Sequence, residues 1–345
     1  MTVLAGQSPA DASKAAAIPS LPRPRLPRDQ LAALREHGNV RPALHVAGVL
    51  AMIAATIALF TWLPHVLTLV VCCLIIGALQ HHLSIIQHEA IHYLLFTNRR
   101  INNFVGALTG HLIFFTMSYR WVHWEHHRQL GHDDDPDLPN YVDYPNDIGY
   151  VARDFLWHIT GLAAVTQFVR QSRAKSPDGA EQKKRPFDRG LIGVAFTQLI
   201  LLGLFAWFSR WEVYVLLWIV PLLTVAKSLT HFRNVAEHAQ LRDLGDPTLS
   251  RLRTVLCGPV EGFFFAPMNF NYHAEHHFYT GIPYHQLPRC YELLSARPEY
   301  ADVVEVERGY MRFLLGRLCL KPNARGPADA MPDAGSSPPS SREAA

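Results

Sequence analysis

The sequence predicts an all-α integral membrane protein: four transmembrane helices in two hairpins, with a cytoplasmic helical cap that carries a histidine-rich dinuclear metal site. Three observations predict it. Four apolar stretches, about 44–63, 66–86, 191–209 and 211–229, come close to the roughly 20 residues that cross a bilayer. Within each pair the connection is only Pro64-His65 or Arg210, so short that the two helices must run antiparallel side by side. The chain also holds 19 histidines among 345 residues, most of them clustered beside those stretches.

Composition narrows the remaining choices. A net charge of +3, with no basic stripe interleaved with aromatics, excludes a nucleic-acid partner. Cys72, Cys73, Cys257, Cys290 and Cys319 show no C-x-x-C spacing, so neither a disulfide framework nor a thiolate metal site is expected. Residues 1–42, rich in Pro, Ala and Arg, lack the apolar core of a secretory signal and read as a disordered N-terminal arm. The membrane domain is expected over 43–320. Residues 321–345 cannot pack a core and read as a disordered tail.

Along the chain, basic residues set the orientation. Arg23, Arg25, Arg28, Arg35 and Arg41 precede the first span, and Arg99, Arg100, Arg120, Arg128, Arg153, Lys183 and Lys184 are among those between the pairs. The opposite face has only Arg210. Both termini and the central loop are therefore expected on the cytoplasmic side. Asn103–Met117, interrupted by Gly106, Gly110 and His111, and Val151–Arg170, with charges among its apolar residues, read as interfacial segments. "RQSRAKSPDGAEQKKRP" reads as a solvated loop.

The chemistry lies in three histidine clusters. "HEAIH" places His88 and His92 one helical turn apart; "HWEHH" and "HAEHH" place His123, His126 and His127, and His273, His276 and His277, at i, i+3 and i+4. On a helix those positions share one face. Two spans separate the early clusters from the late one, so all three fall on one membrane side. Eight imidazoles are too many for one zinc, which takes four ligands, and are about right for two metal ions. Glu89, Glu125 and Glu275, inside the clusters, are candidates to orient the rings. Asp133, Asp134, Asp135 and Asp137 in "DDDPD" lack the pattern of a calcium loop and suggest hydrogen bonding beside the second cluster or a helix stop at Pro136.

These three clusters, in this order around two pairs of spans, resemble the histidine boxes of the membrane fatty acid desaturase superfamily. "HRQLGHDDDPD" and "NYHAEHHFYTGIPYHQLP" are similar to bacterial members, and the resemblance covers about residues 44–295. It implies a bacterial inner-membrane enzyme that uses two iron ions and O2 to introduce a cis double bond into a fatty acyl chain or similar long apolar substrate. The acyl group would ride on a membrane lipid or an acyl carrier. The resemblance also implies a ninth ligand four residues after an asparagine. "NVAEH" offers His238, with Asn234 holding a metal-bound water, and His231 as the rival. No haem or cluster motif and no dinucleotide-binding glycine pattern occurs in the chain, so electrons must come from a separate ferredoxin or cytochrome b5-type carrier with its reductase. Phe114, Phe115, Trp121, Trp124, Phe263, Phe264 and Phe265 are expected walls of the substrate tunnel; His132 and His285 are weaker site candidates.

Other readings remain open. A hydroxylase or ketolase of the same superfamily would use the same scaffold. A membrane zinc metalloprotease would use H-E-x-x-H as zinc ligands and general base, but leaves both H-x-x-H-H clusters idle. A non-catalytic metal-binding membrane protein is the fourth.

Overall fold

The computed structural model describes residues 23–173, 188–208 and 210–319. The expected disorder of 1–22 and 321–345, and most of the expected solvated loop, lie outside the described residues. Helix α1 spans Arg28–Leu34, α2 Val40–Trp62, α3 Val66–Ile91, α4 Arg99–Leu112, α5 Tyr119–Gln129, α6 Ile148–Ile159, α7 Leu162–Arg173 and α8 Gly190–Phe208. The last long helix, α9, runs over Trp211–His238. Of these, α2, α3, α8 and α9 are long and apolar enough to cross a membrane. Helices α2 and α3 pack together, as do α8 and the start of α9.

Two spans are longer than the apolar runs suggest. Helix α3 continues past residue 86 to Ile91, and α9 continues past 229 to His238. Hydropathy stops where polar residues begin, but neither "QHEAI" nor "THFRNVAEH" contains a helix breaker, so the backbone carries on. Both extensions are buried in protein, which lets polar side chains sit on them. Pro221 explains why α9 is irregular. It has no N–H to donate, and π-helical turns at Val215–Ile219 and Leu222–Ala226 flank it. Gln80 of α3 donates to the Trp218 carbonyl there at 2.8 Å. Gly77 of α3 lies against the second π turn; a Cβ there would stand 2.4 Å from that of Val225.

The segment expected at the interface, its apolar run interrupted by Gly106, Gly110 and His111, falls largely on the helix α4, which the Asn98 side chain caps by accepting from Arg100 N and Ile101 N. Its glycines face α3: a Cβ on Gly106 would meet that of Ala90 at 2.4 Å, and one on Gly110 would meet Gln87. They permit close approach. Val151–Arg170 resolves into α6 and α7, separated at Gly161, whose φ of 80° favours glycine.

The fold is not purely helical. Arg253–Leu256 (β1) and Glu305–Arg308 (β2) form a parallel pair, Arg253 opposite Glu305. Four residues per strand are too few to announce themselves by alternation. The third histidine cluster lies on the crossover between them. Residues 23–42 also depart from the expected disorder: Leu26 and Leu34 are buried, and Leu26 N donates to the Tyr279 hydroxyl at 2.9 Å. Two leucines among prolines and arginines suffice to pin this strap beside the third cluster.

Candidate metal centre

Each histidine is placed by a local device. Helix α3 carries His88 and ends at Ile91, with His92 as its C-cap. Arg120 of α5 donates to the Ile91 carbonyl (3.1 Å), the Ala90 carbonyl (3.3 Å) and the Tyr93 hydroxyl (2.6 Å). A cation on the last carbonyls of a helix is favourable, and this one docks α5 against the end of α3. His123, His126 and His127 are thereby brought to His88 and His92. The third cluster sits on a six-residue helix, His273–Phe278. Glu275 anchors it by accepting from Thr254 Oγ1 of β1 at 2.6 Å and from the Tyr300 hydroxyl.

The nine imidazoles fall into two groups, and within each the ligand-capable atoms lie within 4.8 Å of one another. The first is His88, His92, His123, His127 and His276; the second is His126, His238, His273 and His277. His123 Nε2 lies 2.9 Å from both His92 Nε2 and His127 Nε2. His276 Nε2 lies 3.1 Å from His127 Nε2. In the second group His273 Nε2 is 2.9 Å from His238 Nε2 and 3.1 Å from His277 Nε2.

The donor set fits metal ions. Burial, then neighbouring imidazoles, pushes His123, His127, His273, His276 and His277 well below the ordinary imidazole range. Burial and the Arg120 charge bring His92 down to about 3. All six are therefore neutral near pH 7, the form that ligates. Both His88 ring nitrogens are buried without a hydrogen-bond partner, a cost of roughly 1–3 kcal/mol for an unpaired polar group that a bound cation removes. Two Nδ1 atoms are tied from behind, His126 to Asp135 Oδ1 at 2.9 Å and His238 to the Arg251 carbonyl at 3.1 Å. That leaves each Nε2 turned to the group, the usual way a protein fixes a ligating ring.

Asp135 is itself held on all sides. It accepts from Gly131 N at 3.0 Å, Asp137 N at 2.9 Å and the Tyr141 hydroxyl. Burial alone would raise its carboxyl, but hydrogen bonds from His126 and Tyr141 bring it down to about 2. The acidic run thus contributes through Asp135, while Asp133 and Asp134 are exposed. Of the cluster glutamates, Glu125 pairs with Arg128 at the surface. Glu275 bonds the Thr254 and Tyr300 hydroxyls rather than an imidazole. Glu89 lies 3.7 Å from His88 Nδ1 and accepts from Tyr284 N at 3.2 Å.

His231 is not with the nine. Its Nε2 is 2.7 Å from Asp154 Oδ2, and its ring stacks on His158 at 3.8 Å; these three form a separate cluster. Sequence reading missed Asp154 and His158, which carry no motif, and Glu237, 3.6 Å from His273 Nε2 and paired with Arg233. His132 and His285 join neither histidine group.

A cavity of about 520 Å³ opens on both groups; its walls include His88, His123, His126, His238 and His273. Asn234 also lines it, with a buried Oδ1 that has no hydrogen-bond partner. The aromatics expected to wall a tunnel do not line this cavity as a set. Phe115 alone of the seven residues reaches this cavity, while Phe114, Trp121 and Trp124 are exposed. Aromatics at a membrane interface serve as anchors, so their presence did not locate a tunnel.

Four helices long and apolar enough to cross a membrane, and two adjoining sets of histidines that could hold metal ions, are the marks of a membrane protein with a candidate histidine-lined metal site. The fatty acid desaturase family model matches residues 60–309, and the chain belongs to that family. It is an oxidoreductase by that membership. It is also similar to the dihydrorhizobitoxine desaturase of Bradyrhizobium elkanii, 29% identical over 292 residues, which cover 79% of this chain and 80% of that protein.

Proposed function

We propose that the protein is an O2-dependent di-iron desaturase that removes two hydrogens from adjacent saturated carbons and leaves a cis double bond. The observation that carries this reading is the partition of nine histidines into sets of five and four, each with members lining one cavity. His88, His92, His123, His127 and His276 would hold one iron, and His126, His238, His273 and His277 the other. Iron paired in this way supplies O2 activation and hydrogen abstraction from unactivated carbon, chemistry beyond side-chain acids and bases. The residues supply the rest. His126 and His238 are held in one orientation through Nδ1. Asn234, whose Oδ1 is buried without a partner, lines the cavity and would position a water on the nearer metal. Phe270, packed 4.6 Å from the His88 ring and 4.8 Å from His273, shields the centre from bulk water.

Electrons would enter from a separate ferredoxin or cytochrome b5-type protein. The basic loop distribution supports cytoplasmic termini in a bacterial inner membrane. The geometry gives the protease reading no support, since Glu89 is bonded to Tyr284 N and does not line the cavity. The test is mass spectrometry of extracts from cells with and without the gene. A desaturase yields a product lighter by two hydrogens. A hydroxylated or ketone product would assign the chain to the alternative chemistry of the scaffold.

A further inference from the structure

The cavity beside the histidines is not lined by hydrocarbon alone. Asn140, Asp143, Tyr150, Asp154 and Gln167 share its walls with Phe115 and Trp157. Among them is Lys227, at the membrane end of the regular stretch of α9. An ionisable residue at such a depth marks a functional site by default, because its desolvation is costly. Among the described residues the Lys227 ammonium forms no hydrogen bond or ion pair; the charge of Asp137 acts on it from farther off, and it neighbours His231 on its own helix. The cavity's other strong cation, Arg233, is already paired with Glu237 at 2.8 Å.

Position adds direction. Lys227, His231, Asn234 and His238 are spaced by four, three and four residues, so they form one stripe along α9, and all four line the cavity. Lys227 and His238 stand eleven residues apart, about 16 Å along the helix axis. One end of the stripe is an uncommitted cation; the other is a candidate metal ligand. A methylene chain laid along it would strand Lys227 without a partner. An anion would not.

We infer that the substrate is a compact amphiphile with a free carboxylate, and that Lys227 binds the carboxylate so that its carbon chain points toward the histidine groups. A single negative charge suits the site better than a phosphate, because Asp137, Asp143 and Asp154 line the same cavity and would repel a dianion. The volume of about 520 Å³ falls in the range of small-molecule pockets, roughly 300–1,000 Å³. The inference rests on the reading that oxidation occurs at the two histidine groups.

The test uses the full-length, iron-loaded protein in detergent micelles. Hexanoate, decanoate, their methyl esters and dioleoyl phosphatidylcholine are compared as ligands by the shift in thermal unfolding, with bound iron counted in every sample. The carboxylates should stabilise the wild type and compete with one another, while the esters and the phospholipid should bind about tenfold more weakly or worse, the loss of one charge-assisted hydrogen bond. Lys227→Met should erase the carboxylate preference at unchanged iron content, and Lys227→Arg should restore most of it. Equal binding of acid and ester, no carboxylate binding to the wild type, or full carboxylate preference in Lys227→Met would each overturn the inference. Iron count and double-bond formation test the desaturase reading separately, so either can fail while the other stands. If Lys227→Met does not fold, the acid-against-ester comparison on the wild type still decides.

Discussion

His126 and Asp135 are joined by a 2.9 Å hydrogen bond between Nδ1 and Oδ1, with both side chains buried. The carboxylate fixes the tautomer of His126 and turns its Nε2 toward His238, His273 and His277. Such outer partners typically change metal affinity by about 10–100-fold. Asp135→Asn should therefore weaken metal binding at the second group by about that factor and leave the first group filled. Metal titration of the apo protein, followed by two-site analysis, checks this; a uniform loss at both sites would count against the assignment.

His276 belongs to the first group and His126 to the second. His276→Ala and His126→Ala should each lower bound iron from about two to about one per chain and abolish turnover. Both residues lie outside the long helices, so membrane insertion should be unaffected. His231→Ala is the control. It should retain both irons, because His231 is engaged by Asp154 and His158. Iron loss in His231→Ala matching that of the other two would refute the partition.

Gly106 lets α4 approach α3 beside the first cluster. Gly106→Ala forces a methyl group to within 2.4 Å of Ala90 Cβ, and overpacking of this kind costs about 1–3 kcal/mol. Thermal unfolding in detergent should show a clear drop. Gly203→Ala, in α8 with nothing within 4 Å of the added carbon, should be neutral or slightly stabilising.

The Glu275 anchor gives a test without touching a candidate ligand. Thr254→Val removes a 2.6 Å hydrogen bond to a buried carboxylate and leaves the Tyr300 hydroxyl as its remaining side-chain partner. The expected cost is about 1–3 kcal/mol, read as a lower unfolding temperature and faster release of iron to a chelator. Thr254→Ser should behave as wild type.

Much of the candidate site was legible because its histidines recur at short, regular spacings. Histidines at i, i+3 and i+4 had to share a helix face, and the parity of the spans put the three clusters on one side. The structure places all eight, and the ninth implied by resemblance, in two adjoining sets. What sequence did not reveal arises from contacts between distant segments. Arg120 meets the end of α3 across 29 residues, and Thr254 meets Glu275 across a strand too short to detect. Gly106 and Gly110 read only as interruptions of an apolar run, because their packing role depends on a neighbour that sequence does not show. The polar cavity is built from five separated stretches, so no single motif carries it, and the exposed aromatics drew attention to the wrong walls. Lys227 was legible in principle as a charge at the edge of an apolar run, but nothing in the letters said that it lacks a partner.

The most direct test of the central claim is the metal content of protein expressed with iron and purified in detergent. The two histidine groups predict about two irons per chain in the wild type, falling to about one in either His126→Ala or His276→Ala. One zinc per chain, or a ratio unchanged by both substitutions, would contradict it.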